Sequence, residues 1–130
     1  MARILIIDDE ASIRELFLNM LTQEGYDVVE ASDGNAGMKL FRDNPSDVVI
    51  TDLIMPDKEG IETIMELRRD FPDVKIIAIS GGGVVHAEEY LRMARGVGAD
   101  RVFKKPFDVP EMLDAVSELL EQSGSKDKRR

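Results

Sequence analysis

The sequence predicts an α/β protein of five βα units, folded as a doubly wound, five-stranded parallel sheet. Two observations carry this. Short apolar runs rich in β-branched residues recur along the chain, and between them apolar residues fall at helical spacing. The first run is apolar at successive positions, as in a strand covered on both faces. Strands and helices that alternate from end to end imply crossover helices on both sides of one sheet.

The elements follow in order. RILII (Arg3–Ile7) is the first strand. Ile13, Leu16, Phe17, Met20 and Leu21 then share one helical face, and Gly25 stops that helix. YDVVEA (Tyr26–Ala31) is the second strand. Ser32 or Asp33 suits the N-cap of the next helix, whose inner face is Ala36, Leu40 and Phe41. DVVIT (Asp47–Thr51) is the third strand. Ile61, Ile64 and Met65 mark a helix that runs to about Asp70 and is closed by Pro72.

VKIIAIS (Val74–Ser80) is the fourth strand, followed by Gly81, Gly82 and Gly83. Ala87, Tyr90, Leu91 and Ala94 make one face of a helix ending near Gly96 or Gly98. RVF (Arg101–Phe103) is a short fifth strand. Leu113, Val116, Leu119 and Leu120 line the last helix, with Pro110 in its first turn. Residues 1–122 are expected to form one domain, and 123–130 a disordered polar tail ending in the basic KDKRR.

Composition narrows the function. A chain of 130 residues, 43% hydrophobic and 33% charged, is an ordinary single soluble domain. No apolar run approaches ~20 residues, so no membrane span is expected. The start, MARILIIDDE, lacks a signal peptide's pattern. With no cysteine there are no disulfides, thiol nucleophiles or thiolate metal sites, which is compatible with a cytoplasmic protein. The single histidine, His86, excludes a multi-histidine zinc site and is expected at a surface or helix start. A net charge of −9 opposes nucleic-acid binding by this domain.

In an open parallel sheet the ligand site lies at the carboxyl ends of the strands. Strand one ends in Asp8-Asp9-Glu10, strand three in Asp52, strand four in Ser80 and strand five in Lys104-Lys105-Pro106. Crowded carboxylates must either take up a proton or hold a cation. An all-oxygen donor set favours a hard ion, Mg²⁺ or Ca²⁺, over zinc. The lysine would attract an anion such as a phosphoryl group. A carboxylate so placed can attack phosphorus to give an acyl phosphate, with cation and lysine stabilising the transferring oxygens. The attacking carboxylate is taken to be ionised at neutral pH, so that no general base is needed.

These residues resemble the response-regulator receiver domain of two-component phosphorelay signalling, over Arg3 to about Gln122. IIDDE, DLIMPDKEG, the Ser80 strand end, GAD (Gly98–Asp100) and KKPF carry the resemblance by their joint order and spacing. It implies a flavodoxin-like strand order, 2-1-3-4-5. It also implies that Asp52 is the phospho-acceptor, supplied by a histidine kinase or phosphotransfer protein and read by an unnamed downstream protein. Asp9 would ligate Mg²⁺ directly, Asp8 through water, and Asp52 and the backbone carbonyl of Ile54 would complete the protein's ligands. Lys105, before a frequently cis proline, would contact the phosphoryl group, and Ser80 would be the switch hydroxyl. Such a domain is not an enzyme beyond its own phosphotransfer and dephosphorylation.

Three positions depart from the family's pattern. Val102 stands where an aromatic residue is frequent, Gly81 stands where alanine is usual, and the glycines continue to Gly83. The glycine run is expected to be the mobile output element, which unchanged amide exchange across Gly81–Val85 on binding a phosphoryl mimic would refute. Ile54 and Gly82 offer no group to orient water, so slow self-dephosphorylation is expected, and an unchanged rate in Ile54→Asn would count against it. Two rivals stand beside this reading. A small-molecule phosphatase with an aspartate nucleophile is opposed by Ile54, where many such enzymes carry a second aspartate. An interaction module that accepts no phosphate is opposed by the intact set of Asp8, Asp9, Asp52, Ser80 and Lys105.

Overall fold

The structure, a computed structural model, describes residues 2–53, 60–81 and 87–127. Chain order is β1 (Arg3–Ile7), α1 (Ala11–Gln23), β2 (Asp27–Ala31), α2 (Gly34–Asp43), β3 (Val48–Asp52), α3 (Gly60–Asp70), β4 (Lys75–Ser80), α4 (Ala87–Val97), β5 (Arg101–Lys104) and α5 (Val109–Asp127). The five strands are parallel and lie in the order β2-β1-β3-β4-β5, the flavodoxin-like order.

The period-2 alternation of each strand feeds two separate cores. Ile4, Ile6, Val48, Ile50, Ile77 and Ile79 face α1 and α5, where Phe17, Leu21, Met112, Val116 and Leu119 are buried. Leu5, Ile7, Val49, Ile76 and Ala78 face the other three helices, where Met38, Phe41, Ile64, Leu67 and Ala94 are buried. Because β1, β3 and β4 are covered on both sides, they read as unbroken apolar runs. Phe17 and Phe41, fully buried on opposite faces, each contribute roughly 2–3 kcal/mol of transfer free energy.

Caps set the helix boundaries. The Asp33 carboxylate accepts the Ala36 N–H at 2.8 Å and starts α2. Asp108 does the same for α5, accepting the Glu111 N–H at 3.1 Å. Gly25, at φ +89°, takes the left-handed conformation that ends α1. The backbone of α5 stays helical to Asp127, past Gln122.

Several expectations on helix faces need correction. In α2 the buried side is Gly34, Gly37, Met38 and Phe41, whereas Ala36 is exposed and Leu40 is 39% exposed. The reason is a close approach: a Cβ on Gly37 would lie 2.8 Å from Ile7 Cγ1, so glycine itself is the packing surface. Leu16, grouped by periodicity with the buried Phe17 and Leu21, is also exposed.

One side chain ties together the far end of the sheet. Arg68 of α3 donates to the carbonyls of Pro72 (2.7 Å), Val74 (2.9 Å) and Gly98 (2.7 Å), and to Asp100 Oδ2 at 3.0 Å. The same Asp100 oxygen accepts the Ile76 N–H at 2.8 Å. This joins α3, β4 and the turn between α4 and β5.

Candidate functional site

At the carboxyl edge, β1 delivers Asp8, β3 delivers Asp52, β4 delivers Ser80 and β5 leads into Lys105. Register brings them together: Asp52 lies opposite Ile79 and Ser80 opposite Lys104, while the Lys105 N–H donates to the Ser80 carbonyl at 2.7 Å. The Lys105–Pro106 peptide is cis. Gly60, the first residue of α3, abuts this edge. A Cβ there would lie 2.7 Å from Leu53 Cα and closer still to the Asp52 carbonyl oxygen.

Asp8 and Asp52 are buried, while Asp9 and Glu10 are exposed. Each carboxylate is used differently. Asp8 Oδ1 accepts the Glu10 N–H at 2.9 Å and its Oδ2 accepts Lys105 Nζ at 3.0 Å. Asp52 Oδ1 accepts the Leu53 N–H at 3.0 Å, and Oδ2 faces Lys105 Nζ at 3.7 Å. The Asp9 carboxylate makes no hydrogen bond or ion pair with any described residue. Oxygens of Asp8, Asp9 and Asp52 come within 4.8 Å of one another.

Electrostatics follow from burial and crowding. Burial pushes Asp52 up to about 7 and the Asp8 charge pushes the same way, against the pull of Lys105 and the Leu53 N–H. With no cation bound, Asp52 therefore resists ionisation near neutrality; the ionised carboxylate expected from the sequence is one held beside Mg²⁺ and an ammonium. Burial also raises Asp8, partly offset by the Glu10 N–H and Lys105. For Lys105 burial works downward, but Asp8, Asp52 and Glu10 together leave the ammonium above its usual range. Three oxygen donors in a site that resists its own negative charge fit a hard divalent cation.

Ser80 is wholly buried, and its Oγ has no hydrogen-bond partner among the described residues. Such a hydroxyl costs roughly 1–3 kcal/mol and is free to bond an incoming oxygen. Val102 pairs with Ala78 and is half-buried against the core on the α2–α4 face. Gly81 lines a cavity of ≈ 480 Å³ with Glu10, Ile13, Leu16, Lys105, Pro106 and Phe107. Ile54, Pro56, Gly82, Gly83 and His86 lie outside the described residues, so the expected Ile54 carbonyl ligand and most of the glycine run cannot be placed.

Sequence reasoning set Glu10 at the strand end without giving it a role, and missed Arg14. Glu10 shares Lys105, accepting Nζ at 3.2 Å. Arg14 holds the Asp8 carbonyl at 2.8 Å and Glu30 Oε1 at 2.8 Å, bracing the turn after β1. The one available signal for Arg14 was its place one helical turn after Glu10, facing the strand ends.

The response regulator receiver domain matches the chain over residues 4–117. It is 38% identical over 121 residues to a probable transcriptional regulator, ycf27, of Guillardia theta, covering 93% of this chain and 46% of that protein. It is 30% identical to the chemotaxis protein CheY of Halobacterium salinarum, covering 91% of this chain and 96% of that one. A receiver-domain protein from Clostridium thermocellum superposes with a TM-score of 0.87 at 29% identity, covering 95% and 97% of the two chains. The chain thus spans about half the length of the ycf27 relative, and 13% of the sensor kinase CckA of Brucella abortus, which it also matches.

Proposed function

The chain belongs to the response regulator receiver domain family, and from that premise we propose that it accepts a phosphoryl group on Asp52 from a histidine kinase or phosphotransfer protein, with Mg²⁺ at the acidic edge. The division of labour at Asp52 supports this most. Oδ1 is fixed by the Leu53 N–H, which leaves Oδ2 turned toward the Lys105 ammonium. In the reaction Oδ2 attacks phosphorus, the phosphorus–nitrogen bond of a phosphohistidine breaks with its electron pair leaving on the ring nitrogen, and a proton from solvent makes the departing imidazole neutral. Lys105 binds phosphoryl oxygens and Ser80 Oγ donates to one of them.

Asp9, Asp52 and the Ile54 carbonyl would hold Mg²⁺ directly, and Asp8, both of whose oxygens already have partners, would act through water. Bound Mg²⁺ supplies the positive charge that keeps Asp52 ionised and offsets charge on the transferring oxygens. Gly81–Gly83 and Val102 would carry the change outward to a downstream protein. Among the described residues no helix is long and apolar enough to cross a membrane, and the proposed location is the cytoplasm.

Incubation with acetyl phosphate and Mg²⁺ tests the reading. The intact mass should rise by one phosphoryl group, and not in Asp52→Asn or after chelation. No gain, or sustained turnover of small phosphate esters, would refute it.

A further inference from the structure

We propose that Glu10 is a latch on Lys105: its carboxylate holds the ammonium back from Asp52 until an incoming phosphoryl group draws it away, and so sets how readily the acceptor is modified. This rests on the reading of Asp52 as acceptor. Lys105 Nζ lies 3.0 Å from Asp8, 3.2 Å from Glu10 and 3.7 Å from Asp52. The first two are hydrogen bonds and the third is too long for one. An ammonium has three N–H donors, so contact with several phosphoryl oxygens requires that a present partner be released.

Exposure decides which partner yields. The Asp8 side chain is 2% exposed, and leaving it would strand a buried carboxylate. The Glu10 side chain is 57% exposed, and leaving it returns a carboxylate to water. Glu10 and Lys105 both line the ≈ 480 Å³ cavity, so the pair stands at an opening to solvent. Glu10 occupies the N-cap of α1, yet its side chain makes no capping hydrogen bond. The helix does not need the carboxylate, and Glu10→Gln is a mild change to the fold.

The test uses the full chain, acetyl phosphate and Mg²⁺, with Glu15→Gln as a control of equal charge change elsewhere on α1. Glu10→Gln should modify Asp52 roughly twofold to fivefold faster than wild type, the size of one exposed ion pair, while Glu15→Gln matches wild type. Glu10→Asp, which keeps the charge but is one methylene short of the contact, should also accelerate. Without any donor, the Lys105 ammonium signal in ¹⁵N NMR should shift in Glu10→Gln and not in Glu15→Gln. Equal rates for wild type and Glu10→Gln, or equal acceleration by Glu15→Gln, overturn the latch and leave the acceptor intact. A Glu10→Asp rate equal to wild type overturns it in favour of plain repulsion. No modification of Asp52 in any variant overturns the acceptor reading and this inference with it.

Discussion

Replacing Asp52 by asparagine should stabilise the protein when no divalent cation is present. Asparagine keeps the side chain's shape and its oxygen for the Leu53 N–H, and removes the charge, setting an uncharged NH₂ where Oδ2 faced Lys105. Lys105 still has Asp8 and Glu10. The sign follows from the raised acid. Between the ordinary carboxylate value and the folded one, the unfolded chain releases a proton that the native state retains, so stability falls as pH rises through that window. A rise from 3.8 to about 7 corresponds at most to about 4 kcal/mol, and the nearly buried side chain is little screened by water. Allowing for relaxation around Lys105, the variant should gain roughly 1–3 kcal/mol, or several degrees in Tm, at about pH 7.5. Thermal and urea melts in chelator measure this. The advantage should shrink as pH is lowered to about 5, and Mg²⁺ should narrow it by stabilising the wild type. A variant no more stable than wild type, or an advantage independent of pH, would refute the electrostatic account.

Other variants probe single features. Ser80→Ala removes a hydroxyl that has no partner among the described residues, so the resting protein should keep its stability or gain up to about 1 kcal/mol, while the Tm increase on adding beryllofluoride shrinks. Gly60→Ala drives a methyl group into the backbone of Asp52 and Leu53; a loss of more than roughly 2 kcal/mol in urea melts is expected, together with weaker Mg²⁺ binding. Arg68→Ala takes the guanidinium donor from three carbonyls and leaves Asp100 with the Ile76 N–H alone; it should cost roughly 2–3 kcal/mol, with faster amide exchange at Ile76 and Asp100.

The sheet was legible because burial on both faces leaves a strong mark, as in IIAI of β4, and the glycines and prolines between elements punctuate it. The inner face of α2 was not. Hydrophobic periodicity gives glycine no weight, yet Gly37 is where Ile7 lies closest. Leu16 was misplaced for a related reason, since it borders a cavity rather than the core. At the site, strand ends alone brought Asp8, Asp52, Ser80 and Lys105 together. The protonation of Asp52 could not be read in the same way, because it depends on depth and on distance to Asp8. Nor could the pairing of Glu10 with Lys105, residues 95 apart in the chain, which only the folded edge creates.

The Arg68 anchor has a consequence for sequence drift. Three of its four partners are backbone carbonyls, which any residue supplies. Pro72 and Val74 can therefore be exchanged without loosening it. Gly98 is different: at φ +126°, with Arg68 Nε 2.9 Å from where a Cβ would stand, it has no room to vary. Lysine cannot replace the arginine, since a point charge does not fork to acceptors on three segments. The far end of the molecule thus tolerates wide variation around two positions that must be inherited as a pair.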